Sequence, residues 1–425
     1  FILIIKENEP LFTIFNPQKQ KIPIKVWLKN KSELEETCLQ QAVNLSNLPF
    51  LHKWVALMPD THSGYGMPIG GVIAAEDTII PNAVGVDIGC GMVFVETNIP
   101  VDTILQQYTS SGNLVQLIIG SIMGQIPTGF THHQKKQPCQ AADKFTRKLA
   151  SLPAEQRTPD LKDELDRACY QVGTLGGGNH FIELQTDEEG LLCVMVHSGS
   201  RNVGYTICNY FNSLAKKLNK KWNSYLPPEW DLAYLPTNTD AGKEYIRWMN
   251  FALAFAKENR GRMMDIVLEV IKREVPKHTD FKNIRFSPPI DCHHNYASLE
   301  THYGKKVWIH RKGAISAQAG EMGIIPGAMG STSYLVRGKG NPESFCSCSH
   351  GAGRKMSRKQ AKKNFGVEAT IKDLKSQGVF LGKERKSDVG EESRFAYKDI
   401  DTVIANELDL MEPVKAVKTL AVVKG

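Results

Sequence analysis

The sequence predicts an α/β (α+β) protein, one large body of mixed strands and helices carrying a mostly helical insertion at about residues 206–275. Three observations carry that reading. Glycine-punctuated apolar runs such as MPIGGVIAA and GMVFVETNI fill residues 1–100 and read as buried strands. The stretch YIRWMNFALAFAKENRGRMMDIVLEVIKRE repeats apolar residues at intervals of three and four, the period of an amphipathic helix. Strands and motif-bearing loops lie on both sides of that stretch, so residues 1–425 read as a single domain interrupted by helices.

Taken in order, the opening FILIIKENEP is too short for a signal peptide and lacks its basic leader, and reads as an early strand. Residues 103–170 are more polar and helical, broken by the loop GFTHHQKKQPCQ, to which His132 and His133 belong. LLCVMVH, residues 191–197, is an apolar strand ending on a histidine. The helical zone runs from Thr206 to about Glu274, with Ile246, Met249, Leu253 and Ala256 on its repeating face. Pro227, Pro228 and Pro236 interrupt it. Strands return at KVWIHRKG and SYLVRGKG, and DIDTVIANELDLMEPV reads as a last amphipathic helix before a short tail, LAVVKG.

Composition narrows the functional classes. With 41% hydrophobic and 23% charged residues the chain has a globular balance, and its net charge of +7 mildly favours an anionic partner such as nucleic acid or nucleotide. No apolar run approaches the roughly 18 residues of a membrane span, so no membrane partner is expected. Nine scattered cysteines form no disulfide framework and point to a reducing, cytoplasmic compartment.

Glycine clusters in HSGYGMPIGG, GVDIGCG, GTLGGGNH, HSGSRNVG, GEMGIIPGAMG and SHGAGR. Such loops suit close backbone approach to phosphate, and equally suit tight turns between strands. Their company favours the first use, because most carry a metal-type or nucleophilic side chain. The set is Asp87 and Cys90, His180, His197, the adjacent His293 and His294, and His350. In an extended segment His293 and His294 point to opposite faces, so only one is expected to be a ligand. A thiolate with several imidazoles leans toward zinc or iron, while the carboxylate leans the other way. Cys346 and Cys348 beside His350 lack the second cysteine pair of a zinc finger and read as structural. Arg354, Lys355, Arg358, Lys359, Lys362 and Lys363 follow with no acidic residue among them. The later lysines suit a solvated helix face, whereas Arg354 shares the loop of His350 and could fork onto phosphate oxygens.

Together PDTHSGYGMPIGG, VGVDIGCGM, GTLGGGNHFIE, HSGSR, CHHNY, RKGAISAQAGEMGIIPGAMG, SFCSCSHGAGR, AYKDID and VVKG resemble the RtcB family of RNA ligases, closest to its bacterial branch, over essentially the whole chain. The resemblance implies joining of RNA 2′,3′-cyclic phosphate or 3′-phosphate ends to 5′-hydroxyl ends, with GTP as cosubstrate and two Mn²⁺ ions. It implies Asp87, Cys90 and His180 on one ion, and His197 and His294 on the other with Cys90 bridging. It makes His350 the residue guanylylated by GTP, with Arg354 and the glycines Gly351 and Gly353 steadying phosphates. Asn179, Glu183, Ser333, Tyr397 and Lys424 match nucleotide contacts, and Asp60, His62 and Arg201 match positions serving the RNA termini, Asp60 orienting the 5′-hydroxyl. Ala328 stands where the family commonly has a serine. One hydroxyl hydrogen bond is worth about 0.5–1.5 kcal/mol, so weaker GTP binding with intact chemistry is expected. The resemblance leaves open a small archease-like activator and the identity of the RNA.

Two other readings fit part of the pattern. A binuclear metal-dependent phosphoesterase accounts for the ligand set but not for His350 in its glycine loop. A non-catalytic RNA-binding protein accounts for the basic run but not for the ligand set. Covalent labelling by GTP separates both from a ligase.

Overall fold

The computed structural model describes residues 2–5, 11–110, 112–153, 159–224, 226–383 and 388–425, with the backbone alone at 2–5 and 159. Two large sheets dominate it. A seven-stranded sheet runs in the order Ile2–Ile5, Leu11–Phe15, Ile24–Trp27, Leu51–His62, Ile69–Ala75, Lys305–Lys312, Asn295–His302. Its neighbours are antiparallel except Ile24–Trp27 beside Leu51–His62. An eight-stranded sheet runs Ile290–His293, Gly91–Pro100, Leu191–Ser198, Phe181–Asp187, Met411–Lys424, Thr332–Gly338, Met322–Ile325, with Phe380–Gly382 added parallel to the end of Met411–Lys424. Of FILIIKENEP, residues 2–5 form the expected strand and the remainder lies outside the described residues.

The eight-stranded sheet is covered on both faces, which is why its strands read as nearly continuous apolar runs. Val93, Val95, Val194 and Val196 turn one way, onto Ile118 and Ile122 of the helix Leu114–Met123 and onto Met263, Val267 and Ile271 of the helix Asp240–His278. Met92, Phe94, Cys193 and Met195 turn the other way, toward Ile324, Leu335 and Val422. Burying either set against solvent-exposed alternatives is worth about 1.5–3 kcal/mol per large side chain.

The helical insertion resolves into Arg201–Lys221 and Asp240–His278, separated by the proline-bearing stretch as expected. Thr239 caps the second helix, its hydroxyl accepting from the Gly242 N–H at 3.1 Å. The helix runs 39 residues, and Pro276 falls in its last turn. Its buried stripe includes Tyr245, Trp248, Met249, Ala252, Phe255 and Ala256, so Ile246 and Leu253 sit at the stripe's edge rather than its centre. The same stripe continues through Asn259 and Arg260, two polar residues fully buried on the core face.

The C-terminus differs from expectation. Only Ile400–Ala405 is helical, capped by Asp399, and Met411–Lys424 is a 14-residue strand. The presumed tail is therefore an interior strand, paired with Phe181–Asp187 on one side and Thr332–Gly338 on the other. A helical reading of MEPV loses because the strand Thr332–Gly338 offers pairing partners there, and Pro413 is accommodated next to a shift in register at Leu335/Val336.

Candidate nucleotide and metal site

One end of the eight-stranded sheet gathers the chemistry. Cys90 immediately precedes the strand Gly91–Pro100, and His180 precedes Phe181–Asp187. His197 lies opposite Met92 and Phe181, and Phe181 lies opposite Lys424. His293 lies opposite Gly91. Antiparallel pairing thus brings two strand starts and three strand ends to one edge, and residues far apart in sequence become neighbours.

Cys90, His180 and His197 can present ligand atoms within 4.8 Å of one another. Cys90 Sγ is 3.4 Å from His180 Nε2 and 3.3 Å from His197 Nε2. Backbone carbonyls orient both rings: His180 Nδ1 lies 3.0 Å from Leu175 O and His197 Nδ1 lies 3.1 Å from Asn179 O. A carbonyl only accepts, so each Nδ1 carries the proton and each Nε2 turns its lone pair to the centre. Asp87 Oδ2 also faces His180 Nε2, at 3.1 Å, while its Oδ1 accepts from the Ser200 N–H at 2.9 Å. Two acceptors meeting in this way call for a positive charge between them.

The electrostatics agree with a cation. Burial pushes the Asp87 carboxyl up, but His180, Cys90 and Arg201 outweigh it and hold its pKa down at about 2. Burial and the Asp87 charge push the Cys90 thiol well up. Burial, then neighbouring histidines, push His197 and His294 well down, keeping both rings neutral. His294 packs its ring 5.2 Å from that of His197 and 4.8 Å from that of His350. Its buried Nδ1 has no hydrogen-bond partner. A carboxylate, a thiol and neutral imidazoles with free lone pairs, one of them orphaned, fit a divalent metal. His293 turns away. Its Nδ1 lies 3.0 Å from Gly89 O and 3.1 Å from Arg260 Nη2, so of the adjacent pair only His294 joins the cluster.

Beside the cluster opens a pocket of about 230 Å³. His350 enters it from the loop after the strand Ser347–Ser349, with Asp60 behind it. The Asp60 carboxylate is fully buried and accepts from His350 twice through Oδ2, from Nδ1 at 2.6 Å and from the backbone N–H at 3.1 Å. The proton is thereby fixed on Nδ1, and the Nε2 lone pair is left for the pocket. Asp60 therefore contacts the histidine. His62 also lines the pocket, its Nδ1 2.9 Å from Asp60 O, and burial pushes its pKa down to about 4. Gly353 has φ +70°, and a Cβ there would collide with the Asp60 backbone, so the HGAG loop lies directly on the strand that carries Asp60.

The far wall is polar. Glu183 is buried, and burial raises its pKa to about 7. Gln185 Nε2 donates to its Oε2 at 2.7 Å. Lys424 donates to Glu392 at 3.2 Å, and Tyr397 donates to the same carboxylate at 2.7 Å. Arg354 is already engaged: Nε donates to Met356 O at 3.1 Å, Nη2 to Glu391 O at 2.8 Å and Nη1 to Tyr397 Oη at 2.9 Å. These bonds fix it in the wall, and Arg358, which lines the pocket beside it, donates to Asn179 Oδ1 at 3.2 Å. Ala328 and Gly351 line the pocket, whereas Ser333 sits just behind, its hydroxyl accepting from the Gly327 N–H at 3.1 Å. Arg201 sits close enough for its charge to act on Asp87, and it donates to Gly129 O at 2.9 Å and to Thr174 Oγ1 at 3.1 Å. Cys346 and Cys348 take no part in the cluster.

Sequence reasoning passed over Phe181, Glu392, Asn259 and Arg260. Phe181 shares a strand face with Glu183 and lines the pocket, a placement that period-two alternation could have supplied. Glu392 had no such signal, being one acidic residue in a charged run. Arg260 binds Asp291 at 2.8 and 3.0 Å, Gly89 O at 2.8 Å and Ser198 O at 3.0 Å. Asn259 bonds Gly173, Thr174, Ser198 and Gly199. Together they fasten the loops before and after the ligand-bearing strands to the long helix.

A histidine with one ring nitrogen free toward a pocket, beside a cluster able to hold a metal ion, is an arrangement suited to group transfer. The sequence profile of the family described as tRNA-splicing ligase RtcB matches residues 41–425. The chain is 39% identical to the RNA-splicing ligase RtcB of Escherichia coli K12, covering 96% of this chain and 98% of that protein. It is 30% identical to the tRNA-splicing ligase RtcB of Nanoarchaeum equitans over the full length of both. With RNA-splicing ligase RtcB homolog 1 of Entamoeba dispar it shares 31%, covering 94% of this chain and 84% of that protein. The chain belongs to the RtcB family.

Proposed function

We propose that this RtcB-family chain is a GTP- and Mn²⁺-dependent RNA ligase whose residues 1–425 act as one catalytic body. It joins a 2′,3′-cyclic phosphate or 3′-phosphate end to a 5′-hydroxyl end through a covalent His350–GMP intermediate. The observation that carries the proposal is the His350 ring, held by the buried Asp60 with Nε2 free toward a pocket that also contains Glu183.

His350 Nε2 attacks the α-phosphorus of GTP, forming an N–P bond as the bond to pyrophosphate breaks. Nδ1 stays protonated against Asp60, so the guanylylated ring is cationic and its charge is compensated by the carboxylate behind it. When an RNA 3′-phosphate oxygen attacks the same phosphorus, the N–P bond breaks and a neutral imidazole departs without needing a proton. The 5′-hydroxyl then attacks the activated 3′-phosphorus and GMP leaves. A cyclic phosphate end is first opened by water to the 3′-phosphate. Glu183, as a carboxylate, suits the N–H edge of guanine, with Lys424 and Phe181 completing the base site and Arg358 facing phosphate. When bound, two Mn²⁺ ions held by Asp87, Cys90, His180, His197 and His294 supply Lewis-acid charge for phosphate oxygens.

Two RNA pieces bearing a 2′,3′-cyclic phosphate and a 5′-hydroxyl, incubated with the protein, GTP and Mn²⁺, test this reading. Joined product that requires GTP, and is lost in Asp60→Ala and His350→Ala, is expected. GTP-independent joining, or cleavage of phosphate esters alone, would contradict it.

A further inference from the structure

The loop holding His132 and His133 leads to a second site. Residues 128–133, the helix Lys162–Gln171 and the first turn of the helix Arg201–Lys221 enclose an open cleft of about 670 Å³. Its lining is unusual for a protein surface. Phe130 is fully exposed at its rim and Tyr205 is more than half exposed opposite. A single exposed aromatic is ordinary on a protein surface, but here two line the same cleft. Tyr170 and His132 add ring faces, 6.4 Å apart edge to face. The charges are Arg167 and Arg201, and among the described residues no carboxylate lines the cleft. Glu164, itself buried, accepts from Arg167 Nη1 at 2.6 Å, and the Arg167 side chain remains 60% exposed.

The cleft is physically joined to the candidate metal cluster. Arg201 lines it, and its guanidinium and His180 Nδ1 both crowd Gly176, where an added Cβ would collide with both. Gly129, whose carbonyl accepts from Arg201, bonds back to Gly176 O at 3.0 Å. Gly176 thus brings an arginine of the cleft close to a histidine of the cluster.

We propose that this cleft seats one or two unpaired nucleotides of the RNA next to the ends being joined, stacking their bases on Phe130 and Tyr205 with Arg167 against the backbone. This rests on the ligase reading above and specifies where the strand leaves the reaction centre. Exposed ring faces beside guanidinium groups, with no competing carboxylate, are what a single-stranded nucleic acid recognises without regard to sequence. A protein partner fits less well, because the rings are spread over three elements rather than forming one apolar patch.

The test is a binding cycle on the full chain. RNAs carrying an abasic nucleotide at successive positions, in either the 5′-hydroxyl strand or the 3′-phosphate strand, are titrated by fluorescence anisotropy against the unaltered protein and against Phe130→Ala/Tyr205→Ala. Both replaced side chains are exposed, and circular dichroism checks the fold. We expect the variant to bind intact RNA about five- to thirtyfold more weakly. One abasic position within the first few nucleotides should weaken the unaltered protein by a similar factor and the variant no further. The strand in which that position falls identifies which end the cleft holds. Equal affinity of variant and unaltered protein, or an abasic effect of the same size in both, overturns the proposal. GTP labelling of the unaltered protein, measured in parallel, reads the ligase proposal separately: labelled protein with no abasic effect removes the cleft alone.

Discussion

Replacing Arg260 with methionine tests how the site is held together, because it removes a guanidinium while keeping most of its volume. Nε and Nη2 reach the two Asp291 oxygens at 3.0 and 2.8 Å, and Nη1 reaches Gly89 O at 2.8 Å and Ser198 O at 3.0 Å. The Arg260 side chain is fully buried and that of Asp291 is 11% exposed. Breaking a buried ion pair from one side costs about 3–5 kcal/mol, since the remaining charge keeps its desolvation and loses its partner. Each orphaned carbonyl adds about 1–3 kcal/mol. Asp291 can relieve part of this by taking up a proton or turning to water, so a net loss of about 4 kcal/mol is expected in urea unfolding followed by circular dichroism. The double variant Arg260→Met/Asp291→Leu should regain about half of it, because no lone charge is left behind. It should still label poorly with GTP, because Gly89 and Ser198, the neighbours of Cys90 and His197, stay untied. A single variant within about 1 kcal/mol of the unaltered protein, or a double variant no more stable than the single, would refute the argument.

Glu183 gives a pH dependence. Burial raises its folded pKa to about 7, above the ordinary carboxylate value, so the group is neutral below that pH and charged above it. Its contribution to folding runs against stability as pH rises between the unfolded and folded values, whereas guanine recognition needs the charge. GTP affinity should therefore be about tenfold weaker at pH 6 than at pH 8 by calorimetry, and the profile should flatten in Glu183→Gln; a steeper fall on the alkaline side would count against it. Gly353→Ala should cost on the order of 1–3 kcal/mol and abolish labelling, because it combines φ +70° with a clash on the Asp60 backbone. Gly320→Ala, at φ +81° with nothing near its added Cβ, should cost no more than about 1 kcal/mol and label normally. Burial and Asp87 keep the Cys90 thiol protonated near neutrality. Mn²⁺ binding should therefore release about one proton per chain, read as a buffer-dependent heat in calorimetry, and the release should vanish in Cys90→Ala.

Much of this was legible in the sequence because it is local. The period of the helix Asp240–His278 is written into its apolar spacing, and LLCVMVH ends on His197 as a strand should. The expectation that only one of His293 and His294 joins the cluster held, although His294 lies in the bend after the strand Ile290–His293 rather than within it. What stayed hidden is long-range. Asp60 and His350 are 290 positions apart and meet at 2.6 Å only through the stacking of two chain segments. The basic character of Arg354 was visible, but not that Glu391, Met356 and Tyr397 consume its donors. Asn259 and Arg260 lie on an apolar helix face, where polar side chains look like errors of phase until their partners are seen. The strand Met411–Lys424 was mistaken in part for helix and tail because its stability comes from two flanking strands rather than from its own pattern.

The most direct measurement is incubation of the protein with GTP labelled at the α-phosphate and Mn²⁺, comparing unaltered protein with His350→Ala. A covalent, acid-labile GMP adduct that maps to His350 and disappears in the variant is predicted. A folded protein that binds Mn²⁺ yet takes up no label, or takes it up equally without His350, would contradict the account.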